Sequence, residues 1–292
     1  MKIYYFKSKE GKLNFGDDLN EWLWDRLLPG VFDGDDDVVF VGIGTILNGN
    51  IPKAKKTIVF GSGFGYSSRI PAIDESWYIY CVRGEKTAEM LGLDSSIGVT
   101  DSAALLACID LPECQKRHQF SFMPHVSTVN EEWISLCREM GVHFIDPNND
   151  THFVIKEILS TEILLAEAMH GAIVADTLRV PWIPIKSNPE VLDFKWHDWC
   201  GSVGLKYKPN NILPLWGAKT HPNFFDKVKL KIKREILKKQ FNYLMRSRCV
   251  CLSEDEIFKA KRDMLLLKLE EFKKDVANGV FSTSKKAGGV ID

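Results

Sequence analysis

Short apolar runs and longer amphipathic runs alternate along most of the chain. Val38-Val39-Phe40-Val41 and Thr57-Ile58-Val59-Phe60 are almost continuous in apolar character, as in strands covered on both faces of a parallel sheet. Ile3-Tyr4-Tyr5-Phe6, Tyr78-Ile79-Tyr80-Cys81-Val82 and Ile97-Gly98-Val99-Thr100 read as further strands. Helices are predicted over 17–28 and 85–91; the first opens on Asp17 and Asp18, where the helix dipole favours carboxylates. Asp101 leads into an apolar stretch over 103–107 as its N-cap. Strands alternating with helices predict α/β architecture with crossover helices.

A polar, proline-containing stretch over 110–117 interrupts the alternation, which then restarts. Strands are predicted at 120–123, 142–145, 162–166 and 182–185, with helices over 130–140, 153–159 and 171–178 between them. The break gives two α/β halves, residues 1–115 and 116–215, read as Rossmann-like domains facing each other across a cleft. Residues 216–292 form a basic helical tail. Over 225–248 many lysines and arginines accompany Val228, Ile232, Ile236, Leu237, Phe241, Leu244 and Met245, read as one apolar stripe. A second helix covers 254–276, and 282–292 are expected to fray.

Composition narrows the class. A 292-residue chain with 45% hydrophobic and 26% charged residues is an ordinary globular protein with room for two domains. The net charge of −1 supplies no global field for nucleic acid, and no aromatic interleaving accompanies the basic helix. Seven cysteines without metal-ligand spacing, no signal-like N-terminus and no apolar run of about 20 residues predict a cytoplasmic protein. The basic helix has two readings: packing across the domains with its lysines solvated, or peripheral contact with the inner face of the plasma membrane.

Candidate chemistry gathers at strand ends, where ligands bind in open α/β sheets. Asn14-Phe15-Gly16-Asp17-Asp18 is a capped turn or a binding loop. Gly42-Ile43-Gly44-Thr45 and Gly61-Ser62-Gly63 also follow strands, but neither fits the dinucleotide fingerprint. Arg83 stands at a strand end, a planar fork suited to carboxylate or phosphate, or a surface arginine capping a carbonyl. His125 and His170 occupy strand ends in the second half, and Lys186 adds charge. There is no nucleophile elbow, and no spacing around the histidines suggests a metal.

Set in order, these pieces resemble the polysaccharide pyruvyl transferase family: Asn14 to Asp18, Gly42 to Thr45, Gly61 to Gly63, Arg83-Gly84-Glu85-Lys86-Thr87, Thr100-Asp101-Ser102-Ala103, Met123-Pro124-His125 and Met169-His170-Gly171 through Asp176, with Arg179-Val180-Pro181. Phe194-Lys195-Trp196-His197-Asp198-Trp199 is similar to the exopolysaccharide ketal-pyruvate branch. Many members carry arginine two residues before the motif histidine, where this chain has Ala168. The resemblance implies a fold like glycosyltransferase type B, with phosphoenolpyruvate as co-substrate and no cofactor. It further implies a sugar acceptor, often lipid-linked, and a pyruvate ketal as product. His170 is then the expected acid/base, with His125 second. Arg83, Lys186 and Gly171 are expected at the donor; Asn14, Asp17, Asp18, Gly44 and Thr45 at the acceptor. A nucleotide-sugar glycosyltransferase and a non-catalytic carbohydrate-binding protein are the alternatives.

Overall fold

The computed structural model describes residues 1–292 apart from 8–10, 67–68, 190, 217–222 and 284–292. The expected fraying of 282–292 falls largely outside the described residues. The first half comprises β1 (Lys2–Tyr4), α1 (Phe15–Leu27), β2 (Val38–Val41), β3 (Lys56–Phe60), β4 (Trp77–Cys81) and α2 (Glu85–Met90). A 3-10 turn over Ser102–Cys108 follows, with Asp101 as its N-cap accepting from the Ala103 amide at 3.0 Å. The second half comprises β5 (His118–Met123), α3 (Glu131–Met140), β6 (His143–Phe144), α4 (Thr151–Leu159), β7 (Thr161–Ala166), α5 (Met169–Thr177), β8 (Trp182–Lys186), α6 (Asp193–Ser202) and β9 (Asn210–Asn211). Two long helices, α7 (Phe224–Ser247) and α8 (Asp255–Ala277), complete the chain.

The strands form two parallel sheets, in the orders β1-β2-β3-β4 and β6-β5-β7-β8-β9. The apolar run at β2 is buried at every position, as expected of a strand covered on both faces. In the second sheet the chain leaves β5 for β6 on one side and returns to β7 on the other. This reversal opens a crevice at the carboxyl ends of β5 and β7. His125 follows β5 and His170 follows β7, so both histidines stand at that switch point.

A buried carboxylate fixes the strand ends there. Glu167, fully buried after β7, accepts from the His125 amide (3.0 Å) and the Thr128 hydroxyl (2.8 Å) after β5. It also accepts from the Ser187 amide and hydroxyl (2.7 and 2.5 Å) and the Asn188 amide (3.2 Å) after β8. An ionised carboxylate is an acceptor only, so this all-donor shell stabilises its charge and holds three strand ends together.

One apolar cluster runs through α1, with Phe15, Leu19 and Trp24, into α5, with Ala172 and Ile173, and so joins the two sheets. The last helices are not a unit of their own. Phe241 of α7 packs on Phe122 and Trp133 of the second half, whereas Phe272 of α8 packs on Phe40, Phe60 and Tyr80 of the first. The apolar stripe read along α7 also divides. Leu237, Phe241 and Leu244 are buried, but Val228, Ile232 and Ile236 face outward, since at about 100° per residue they lie on the other side of the helix. No helix among the described residues is long and apolar enough to cross a membrane.

Candidate active site

A cavity of about 460 Å³ lies where the first turn of α1 approaches the carboxyl ends of β5 and β7. Asn14, Gly16 and Asp17 line one side, and His125, Ala168 and His170 the other; Thr45, Tyr66 and Lys195 close it.

The α1 turn is arranged by its own side chains. Asn14 is the N-cap, yet its side-chain amide donates to Asp17 instead of capping the helix. Its backbone amide donates to Asp18 at 2.7 Å, which turns Asp18 toward the cap and away from the lining. Asn20 donates to the Ile43 carbonyl and accepts from the Ile43 amide, fastening the loop after β2 to α1. Gly42 and Gly44 serve that closure. A Cβ at Gly42 would stand 2.3 Å from Trp24 Nε1, and Gly44 has φ +128, a conformation open to glycine. Gly44 thus shapes the loop that presents Thr45 to the cavity.

Gly16 admits the central histidine. A Cβ there would lie 2.2 Å from His170 Nδ1, so only glycine lets the imidazole rest against α1. On the other side of the ring, His170 Nε2 stands 3.7 Å from Asp101 Oδ2. Both atoms are buried, and among the described residues neither has a hydrogen-bond partner. At 3.7 Å the pair is an electrostatic contact; a small ring movement makes it a hydrogen bond, as catalytic pairs do when substrate closes the site.

Among the lining groups with displaced acidities, Asp17, Lys195 and His125 bear on the chemistry. Burial pushes the Asp17 carboxyl up to about 6, against the opposing pull of His170. Burial, with the Arg83 guanidinium nearby, pushes the Lys195 ammonium down to about 7, partly offset by Asp17. Burial and then repulsion from Lys195 push His125 down to about 4. His125 is therefore a neutral imidazole near neutral pH, its Nδ1 2.8 Å from Ser127 Oγ. That suits a hydrogen-bonding role better than that of a proton donor.

Arg83 is placed differently from the expectation. Its side chain is fully buried behind the wall: Nε donates to Asp198 Oδ2 (2.9 Å) and Nη1 to Thr45 Oγ1 (2.8 Å), while Nη2 has no partner. Asp198 also accepts from the Thr87 amide and hydroxyl, at 3.0 and 2.6 Å. Gly63 makes room for the guanidinium, since a Cβ would stand 2.2 Å from Cζ. Arg83 thus holds Thr45 and lends positive potential from outside the lining. Lys186 pairs with Asp193 at 2.6 Å and likewise does not line the cavity. Gly171 does not line the cavity either: its α-carbon packs on Met123, where a Cβ would be 2.6 Å from Sδ.

Lys195 and Tyr66 are the functional candidates that sequence reasoning missed. Lys195 lies within the Phe194 to Trp199 run, where a lysine flanked by aromatics at helical spacing signals burial. Asp198, three residues on, is the expected partner for that lysine but is taken by Arg83. Among the described residues, His118, His143 and Glu157 are close enough to hold a metal ion. However, the two imidazoles are stacked at 3.8 Å with planes 4° apart, so an ion in the plane of one ring lies well out of the plane of the other. His143 instead bonds Glu157, which also receives Arg117 at 3.2 Å.

The polysaccharide pyruvyl transferase profile matches residues 1–189, from β1 through β8. The succinoglycan biosynthesis protein ExoV of Rhizobium meliloti (strain 1021) is 42% identical over 218 residues, covering 73% of this chain and 68% of that protein. His170, Asp101, Gly16 and the Glu167 clasp all fall within the matched span, and the chain belongs to the polysaccharide pyruvyl transferase family.

Proposed function

We propose that this pyruvyltransferase takes pyruvate from phosphoenolpyruvate and joins it as a ketal to two hydroxyls of a sugar in a lipid-linked polysaccharide repeat unit, releasing phosphate and using no cofactor. One observation carries the reading: the His170 imidazole lies between the glycine it needs and a buried carboxylate oxygen with no other partner, at the switch point of the sheet. In this role His170 takes the proton of the first attacking hydroxyl and delivers a proton to the donor's methylene carbon, while Asp101 stabilises the imidazolium. Ala168 leaves α5 without a side-chain cap, and Ala168, Met169 and His170 line the cavity, so the uncapped start of this helix is read as the donor end for the anionic co-substrate. The acceptor then sits against Asn14, Asp17 and Thr45. The two parallel sheets are read as halves of a glycosyltransferase-B-like architecture, acceptor on the first and donor on the second. In the test, His170→Ala abolishes acceptor-dependent phosphate release from phosphoenolpyruvate; turnover near that of the unaltered protein rejects the mechanism.

The outward face of α7 supports a peripheral place on the inner leaflet. Phe224, Phe225, Val228, Ile232, Ile236 and Tyr243 are exposed on the side away from Leu237 and Phe241. Lys227, Lys229, Lys231 and Lys233 flank that stripe and make no ion pair among the described residues, whereas Arg234 and Lys238 are taken by Glu132 and Glu139 of α3. Free lysines beside exposed aromatics suit an anionic bilayer, at about 1 kcal/mol per cation near the surface. Co-sedimentation with phosphatidylserine vesicles should weaken with salt and with Ile232→Glu; sedimentation indifferent to both removes this reading.

A further inference from the structure

Lys195 is the cation on the cavity wall that the mechanism above leaves unused. Its side chain is buried, its Nζ bonds the Tyr66 hydroxyl, and among the described residues no carboxylate stands within ion-pair distance of it. A buried ammonium whose bonded partner is a neutral phenol is poorly compensated. The groups facing it are Asp17 on α1, Arg83 beyond β4, Tyr66, and His125 beyond β5. It is therefore a group that a bound dianion would recharge.

We propose that Lys195 is a second catalytic proton carrier, charged by the donor's phosphate on binding and discharged to that phosphate as it leaves. The proposal rests on phosphoenolpyruvate being the donor. As the carbon–oxygen bond to phosphate breaks, Nζ–H gives its proton to the departing oxygen, leaving hydrogen phosphate and a neutral amine. The amine then takes the proton of the second acceptor hydroxyl as that oxygen bonds to the same carbon. With His170 carrying the first hydroxyl's proton to the methylene carbon, the two protons lost by the acceptor appear as one on the new methyl group and one on phosphate. Both side chains return to their starting state. A pKa near 7 lets the lysine serve in both directions.

The test is calorimetry of phosphoenolpyruvate binding to the full chain in buffers of different ionisation enthalpy. Near pH 8, where the phosphate is already dianionic, binding should take up close to one proton, and the uptake should shrink as pH falls toward 6. A bound dianion also favours protonated Asp17 and His125, but burial and its neighbours leave these at about 6 and about 4 in the free protein, so near pH 8 they take up less than Lys195 does. Lys195→Arg, which keeps the charge but holds its proton, should bind the donor without uptake and turn over at least about 100-fold more slowly. Undiminished uptake or near-normal turnover in Lys195→Arg overturns the proposal. If that variant does not fold, uptake in the unaltered protein that stays flat between pH 6 and 8 overturns it equally. An unaltered protein that binds no phosphoenolpyruvate refutes the donor assignment itself, a different result from binding without uptake.

Discussion

Replacing Gly16 by alanine adds one methyl group, 2.2 Å from His170 Nδ1 and 2.8 Å from its Cγ. Carbon contacts are comfortable at about 3.5–4.0 Å, so the imidazole must retreat by more than about 1 Å or rotate out of the cavity. Gly16 lies in the first turn of α1, where alanine would by helix propensity be favoured by up to about 1 kcal/mol. Overpacking costs about 1–3 kcal/mol, so the net loss of stability stays within about 2 kcal/mol and the protein folds. The chemistry has no such offset. A displacement of about 1 Å at a reacting group costs about 100-fold in rate. Gly16→Ala should therefore lose about two orders of magnitude in acceptor-dependent phosphate release, while its melting temperature changes modestly. The assay is phosphate release under saturating phosphoenolpyruvate and acceptor, beside thermal unfolding of the same preparation. A folded variant within about threefold of normal turnover would refute the placement of His170 at the reacting atoms.

Two further substitutions test the electrostatics. Asp17 is charged at a cost: burial raises its carboxyl from 3.8 to about 6, so the native state gains stability from its proton below pH 3.8 and loses it as pH rises through 6. Asp17→Asn should accordingly stabilise the protein by up to about 3 kcal/mol near pH 8, give no gain near pH 3.5, and impair turnover; denaturant unfolding at both pH values checks this, and a gain equal at both contradicts it. Asp198→Ala strands the buried Arg83 guanidinium and should cost about 3–5 kcal/mol in the same measurement, whereas a loss below about 1 kcal/mol would mean that the pair is not the buried contact described.

Local chemistry was readable wherever neighbouring residues decide it. Continuous apolar runs marked β2, β3 and β7, and Asp101 was recognised as an N-cap because the residues that follow supply the amide it accepts from. The two strand-end histidines pointed to the crevice because the fold rule depends on chain order alone. What stayed hidden depends on pairs far apart in sequence. Arg83 and Asp198 are 115 residues apart, and nothing near Arg83 says that its charge is turned inward. For Lys195 the aromatic neighbours mark a buried helix, but which cavity the lysine lines depends on Asp17 and Tyr66, more than 120 residues away. Along α7, periodicity found the apolar positions but merged two faces into one stripe, since only packing decides which face is covered.

The central claim is that this site moves pyruvate from phosphoenolpyruvate to a sugar through His170. Mass spectrometry of a lipid-linked oligosaccharide acceptor, incubated with isotopically labelled phosphoenolpyruvate, tests it most directly. The account predicts that the acceptor gains the labelled pyruvate as a ketal, with one phosphate released for each, and that His170→Ala leaves the acceptor unchanged. An acceptor that gains no label with the unaltered protein, or gains it equally with His170→Ala, would contradict it.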